Sequence, residues 1–346
     1  MRDGRREGLK FSHSDSLRRL GDADPADLPE IVQNVTDTEM TAMSLTVDGD
    51  PTAFDSETNP APFDGPGSSD FTATAADQAP GTHEVCFTAT GTGPKSDSAS
   101  EDSAEQCETY DVYGFDLAPA EATNELGSDS THTVTATLAG PAGSVEGYTV
   151  DFSVTAGPNA GDAGDCDPVA CTTDGDGNVT FTYSVPVEPA SLGTDTISAT
   201  VTVGDEQATL DVEKEWVDTT LPVADCLPSV NPSGKKQPQA PGRGGQGQNQ
   251  DGFYVISATD DVWPDTALEL FVVDDGSGTV FGPYATGTVI KYTEANGAGP
   301  TAKSIGGPNS AVDVHIIGNG DALVIAVDGS GNESDGVSCL VPPAPK

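Results

Sequence analysis

The sequence predicts an all-β protein built of antiparallel β-sandwiches in series. Three observations carry this. Apolar and polar residues alternate with period two along most of the chain, the mark of half-buried strands. Glycine (40) and proline (26) are plentiful among the 346 residues and cut the alternation into short runs. No segment sustains the 3.6-residue period of a long helix.

Taken in order, residues 1–30 are basic at the start: MRDGRREGLKFSHSDSLRRL carries six basic and three acidic groups and no apolar run of a secretory leader. They are expected to form a poorly ordered lead-in. The block 31–115 follows strand grammar. MSLTV places Met43, Leu45 and Val47 on one face, HEVCFTAT places His83, Val85, Phe87 and Ala89 together, and QCETYDVY turns Tyr110 and Val112 inward. On those phases Cys86 and Cys107 point outward and can staple neighbouring strands. The stretch GTGPKSDSASEDSAEQ, 91–106, lacks periodicity and is expected to be a mobile loop.

In the block 116–217 the inward sets are His132, Val134, Ala136 and Leu138; Tyr148, Val150, Phe152 and Val154; Val179, Phe181, Tyr183 and Val185; Ile197, Ala199, Val201 and Val203; then Ala208, Leu210, Val212 and Trp216. Threonine recurs on the outward phase, as strand propensity favours. The block 218–346 holds FYVISA, ALELFVV, DVHII and ALVIAV, of which the last two are the most continuously apolar and are expected to be central strands. Between them and Cys226 lies a Gly/Pro/Gln-rich stretch, 228–252, with Lys235, Lys236 and Arg243, expected to be a flexible loop.

Charge bounds the partners. The formal net charge is −42 and is spread through the body of the chain, while residues 1–20 are net positive. Such a field repels phosphates and anionic lipid, so nucleic acid is not an expected partner. No run approaches the ~18 apolar residues of a membrane helix. Hydrophobic residues are 35 % of the chain, enough with its glycines for a packed core. The six cysteines form no C-x-x-C pair and their even number points to disulfides and an oxidising compartment. Of the 15 pairings six cysteines allow, chain order gives the simplest: Cys86–Cys107, Cys166–Cys171 and Cys226–Cys339.

The middle block resembles bacterial immunoglobulin-like domains of the invasin and intimin type. LAPAEATNELGSDSTHTVTATL (117–138), VEGYTVDFSVTAGPNAG (145–161), TTDGDGNVTFTYS (172–184), GTDTISATV (193–201) and the closing Trp216 carry the likeness, and the Cys166–Cys171 loop departs from it. The C-terminal block is similar at its edges to hyalin-repeat-like and bacterial Ig-like modules, through D-T-x-x-P at 218–222 and A-V-D-x-x-G-N at 326–332. The resemblance implies tandem Ig-like sandwiches acting as a stalk, spacer or adhesion module at a cell surface or outside it.

Catalytic chemistry is hard to assemble. The histidines are His13, His83, His132 and His315, and G-x-S-x-G, H-E-x-x-H and P-loop patterns are absent. Neither a catalytic nor a cofactor-binding residue is assigned. Calcium is the one candidate ion: Asp174, Asp176 and Asn178 alternate as oxygen ligands, although Val179 and Val185 break the EF-hand pattern and an ordinary hairpin turn fits as well. Asp260, Asp261, Asp274, Asp275 and Asp328 are weaker acidic candidates at strand ends. Trp263, Tyr284 and Tyr292 are candidates for a sugar platform against the alternative of core packing. The expected function is non-enzymatic structure or adhesion, with a cell-surface protein or glycan as partner and self-association open. A carbohydrate-binding accessory region of a secreted hydrolase, or a virion or filament component, are the alternatives.

Overall fold

A computed structural model describes residues 10–13, 18–20, 26–34, 39–57, 61–64, 67–75, 78–92, 101–229, 251–294, 299–304 and 313–339. Within them the chain forms 26 strands and two single-turn 3-10 helices, Pro189–Ser191 and Asp265–Ala267. The strands make five sheets, and the fold is a tandem of Ig-like antiparallel sandwiches.

The N-terminal part contributes a four-stranded sheet in the order Lys10–His13, Ala26–Asn34, Gly67–Ala75, Phe54–Glu57. Strands Lys10–His13 and Arg18–Leu20, and the start of Ala26–Asn34, therefore lie inside the segment expected to be an unstructured lead-in. Their pairing uses main-chain groups, which any sequence supplies.

A nine-stranded sheet runs Gly164–Asp167, Asn178–Ser184, Thr131–Ala139, Glu101–Ala118, Gly81–Thr92, Glu39–Val47, Asp50–Thr52, with Arg18–Leu20 and Phe63–Asp64 attached at its side. Its axis is the 18-residue strand Glu101–Ala118. Residues 101–112 pair with Gly81–Thr92, and residues 114–118 pair with Thr131–Ala139. This corrects two expectations. The boundary between residues 115 and 116 falls inside a strand, because the strand Glu101–Ala118 continues past it and pairs through residues 114–118 with Thr131–Ala139. The loop expected over 91–106 is mostly ladder: Thr92 pairs with Glu101 and the pairing continues to Val112, so only 93–100 lie outside the described residues. Cys86 and Cys107 stand directly opposite in this ladder and are bridged on its outer side. Leu45, Val47, Val85, Phe87, Ala89, Tyr110 and Val112 are buried on the other face.

The middle core lies between that large sheet and a four-stranded sheet ordered Glu121–Glu125, Glu206–Val217, Gly193–Val203, Val150–Ala156. Burial alternates strictly along Thr131–Ala139, as period-two patterning requires. Val134, Ala136 and Leu138 face Ile197, Ala199 and Val201 in one cluster with Phe181, Tyr183 and Trp216. Each such aliphatic side chain contributes about 1.5–3 kcal/mol by leaving water. Tyr113 joins this cluster, and Gly140 makes room for it: a Cβ there would stand 2.6 Å from the Tyr113 ring.

The C-terminal sandwich packs a sheet of Val223–Pro228, Asp251–Thr259, Thr288–Glu294, Asp313–Gly318 and Thr301–Ser304 against one of Thr279–Tyr284, Glu269–Asp274, Ala322–Val327 and Val337–Ser338. Asp313–Gly318 and Ala322–Val327 are internal strands of their sheets. Ile256, Leu270, Val272, Ile290, Ile316 and Val324 are fully buried in its core. The disulfide Cys226–Cys339 links its first and last segments, across a separation of 113 residues, and Cys166–Cys171 clips a loop of the middle sandwich. Most of the expected loop 228–252, including Lys235, Lys236 and Arg243, lies outside the described residues.

Candidate functional site

The residues singled out in the sequence go to different places. Asp174, Asp176 and Asn178 form a turn between strands. Asp174 Oδ1 accepts from the amides of Asp176 (2.9 Å) and Asn178 (2.8 Å), and Asn178 Oδ1 accepts from the Thr137 hydroxyl at 2.9 Å. Gly177 holds the turn at φ +82°, where a side chain would strike the Leu138 carbonyl. Tyr292 is buried, and its hydroxyl lies 2.9 Å from Asp274 Oδ1 and 2.7 Å from the Gly320 carbonyl. Asp274 also accepts from Ser277 and from the amides of Asn319 and Gly320. Burial opposes its charge, but these donors outweigh it and lower its pKa. Tyr284 packs against the C-terminal core.

Of the histidines, His83 points Nδ1 at Asp48 Oδ2 (2.6 Å) and Nε2 at the Ala79 carbonyl (2.7 Å). Two acceptors facing the two ring nitrogens favour the imidazolium form. Burial works against that charge; Asp48 and Ala79 override it and raise the pKa. His132 is the opposite case. It is buried with Nε2 unpartnered, and burial, helped by the positive Lys214, lowers its pKa to about 4. His315 Nε2 meets the Thr293 hydroxyl at 2.8 Å. His13 lies in a strand near the N-terminus.

A polar centre sits inside the middle core. Asp195, fully buried, accepts from the Asn159 amide (3.0 Å), Asn159 Nδ2 (2.9 Å), Tyr183 hydroxyl (3.0 Å) and Trp216 Nε1 (2.9 Å). Lys214, the only basic residue between 116 and 217, is also fully buried. Its ammonium lies 4.3 Å from the Trp216 ring centroid and donates to the Glu215 carbonyl. Burial pulls its pKa down to about 8. Both oxygens of the Asp195 carboxylate are hydrogen-bonded, three donors on Oδ2 and one on Oδ1, which marks the centre as a pin of the fold.

The candidate site is the junction that follows. The last strand of the middle sandwich, Glu206–Val217, passes into Asp218-Thr-Thr-Leu-Pro. Glu125 grips that connection: its carboxylate accepts from Thr219 N (2.6 Å), Thr219 Oγ1 (2.5 Å), Thr220 N (3.0 Å) and Thr220 Oγ1 (3.1 Å). Burial opposes the charge, and these donors overcome it to lower the pKa. From the C-terminal sandwich the turn after Asp251–Thr259 inserts Val262 into the middle core, while Trp263 packs against both cores. Gly127, at φ +105°, abuts this turn, and a Cβ there would come 2.5 Å from Asp261 Oδ2. Trp263 Nε1 donates to Ser330 Oγ (2.9 Å), which donates to Asp218 Oδ2 (2.9 Å).

Three aspartates meet here. Asp218 opens the connection, Asp260 follows strand Asp251–Thr259, and Asp328 follows strand Ala322–Val327. One oxygen from each lies within 4.8 Å of the others. Among the described residues the other such grouping is Glu84, Cys86 and Cys107, whose sulfurs are bonded to each other. Burial, then the negative Asp260 and Asp328, raise the Asp218 pKa above the ordinary carboxylate value. The sequence names Asp260 and Asp328 only as weak candidates and misses Asp218 and Glu125. The available signal was positional: an aspartate at each of three chain segments that the sandwich topology returns to one pole.

No family model matches the chain, and no curated protein matches it in sequence. Solved structures that it is similar to include domains A168–A170 of titin (11 % identity, 96 % of this chain and 99 % of that chain, TM-score 0.33). Others are extracellular domains 3–5 of Drosophila OTK (12 %, 97 % and 98 %, 0.30) and the D1–D4 ectodomain fragment of ICAM-5 (14 %, 97 % and 76 %, 0.31). The likeness is one of tandem strand architecture and carries nothing about a ligand.

Proposed function

We propose that the protein is a non-enzymatic structural or adhesion component, exposed at a cell surface or secreted, whose Ig-like sandwiches in series hold attached groups at a set distance. The observation that carries this reading is the construction of the connections. A single strand, Glu101–Ala118, belongs to the first two sandwiches. The next connection is gripped by Glu125 and wedged by Val262 and Trp263. Both connections are built to fix geometry, which a spacer needs and independently tumbling beads do not. Three disulfides and no free cysteine support an oxidising compartment. The invasin-like pattern of the middle block supports a bacterial-type adhesion module, with a surface protein or glycan bound at its loops.

Small-angle scattering on the full chain tests the reading. The expected result is an elongated particle with a radius of gyration well above the ~20 Å of a compact globule of this length. A value near that figure overturns the spacer. Fractionation of the source cells is the second arm, and a cytosolic pool with six reactive thiols overturns the extracellular assignment.

A further inference from the structure

We propose that Asp218, Asp260 and Asp328 form a calcium site that locks the connection between the middle and C-terminal sandwiches. The carboxylates come from three separate segments and place an oxygen each within 4.8 Å of the others. Calcium takes oxygen ligands at 2.3–2.6 Å, so ligands across the ion stand up to about 5 Å apart; magnesium, at 2.0–2.1 Å, draws them to about 4.2 Å. A grouping within 4.8 Å accommodates calcium.

Burial supplies the driving force. Asp218 and Asp328 are only 7 % and 6 % exposed. Among the described residues no basic side chain pairs with any of the three. Their donors are neutral: Ser330 and the Thr220 amide for Asp218, the amide and side chain of Asn332 for Asp328, and the amides of Val262 and Trp263 for Asp260 Oδ1. A second observation is independent of the clustering. Asp260 Oδ2 is closed off from solvent and accepts no hydrogen bond at all. Buried charges are stable when paired or bound to metal, and this orphaned oxygen belongs to a partly exposed side chain grouped with the buried Asp218 and Asp328.

The site would act through its position. Asp218 belongs to the connection, and Asn332 Nδ2 donates to its carbonyl at 3.0 Å. Asp260 belongs to the turn that carries Val262 and Trp263 into the interface. An ion held by all three ties the connection and that turn to the pole of the C-terminal sandwich.

The test compares thermal unfolding of the full chain with its Asp260→Asn variant, in chelator and in millimolar calcium at fixed ionic strength. The substitution keeps Oδ1 for the Val262 and Trp263 amides and replaces the orphaned oxygen by a donor. Wild type is expected to gain ~5 °C or more with calcium. The variant is expected to equal or exceed wild type in chelator and to lose most of the calcium gain. An equal gain in both proteins would mean diffuse screening of the −42 chain and overturns the site; no gain in wild type overturns it too. A second measurement needs no variant. Terbium should give Trp-sensitised emission in the wild-type chain, saturating near one equivalent and displaced by calcium, because Trp263 lies on the Asp260 turn. Absence of displaceable emission counts against the proposal.

Discussion

Val112 and Tyr113 are neighbours in one strand and both are buried, at 8 % and 3 % exposure. Neighbours in a strand point to opposite faces, so the chain changes the side it buries at this one peptide. Val112 keeps the phase of Tyr110 and the first sandwich. Tyr113 begins the phase of Leu117 and belongs to the middle core. One strand thus serves two cores, and the prediction is a split response. Tyr113→Ala should cost the middle sandwich roughly 3–5 kcal/mol, and Val112→Ala should cost the first sandwich roughly 1–3 kcal/mol. Hydrogen exchange resolved by segment would show each loss on its own side. Loss of protection on both sides from either variant would mean that the strand does not partition in this way.

Asp195 should be the costliest polar residue of the middle sandwich. Asp195→Ala strands the Tyr183, Trp216 and Asn159 donors together, for about 3–5 kcal/mol. Tyr183→Phe removes one donor of four and should cost about 1 kcal/mol. Urea denaturation of the two variants gives the ratio, and similar losses would contradict the hub arrangement.

His132 sets an acid limb of stability. Its folded pKa, about 4, lies below the ordinary value of 6.5. The unfolded chain therefore takes up a proton at pH 6 that the folded chain refuses. Stability should fall as pH drops from about 6.5 to about 4, by up to about 3 kcal/mol, and the slope from this residue should end there. His132→Phe, filling the same space beside Tyr183, should flatten that interval. An unchanged slope would assign the acid sensitivity to the carboxylates Glu125 and Asp274, whose lowered pKa values make them lose stability at lower pH still.

The three disulfides should rank by the loops they close. With separations of 113, 21 and 5 residues, replacement of both cysteines by serine should cost about 5, about 3 and about 2 kcal/mol in the chain-entropy account. Denaturant midpoints of the three double variants measure the order. A dominant effect of Cys166–Cys171 would refute that account for this chain.

Much of the fold was legible because alternation is a local property. Val134 through Leu138 and Ile197 through Val203 could be assigned inward from spacing alone, and they are. The shared strand was not legible, since a phase change of one residue at Val112 looks the same as the end of a run. Lys214 was also opaque: its type reads as solvent-facing, and the Trp216 ring, the Glu215 carbonyl and the nearby carboxylates Asp129, Asp195 and Glu215 make its burial tolerable. The junction was least legible. Asp218, Asp260 and Asp328 are each unremarked turn residues locally, and their meeting is decided by which strand ends the topology returns to one pole.

The Cys226–Cys339 bridge has a consequence under load. A pull applied to the chain on either side of these two cysteines passes through the sulfurs and bypasses everything between them. The C-terminal sandwich can then be tugged without being unravelled. The first and middle sandwiches, whose bridges span 21 and five residues, have no such bypass and would extend before it. Reduction of the long bridge would release a further roughly 370 Å of extendable chain. The oxidation state of one cysteine pair thus fixes how far the protein can stretch before it breaks its grip.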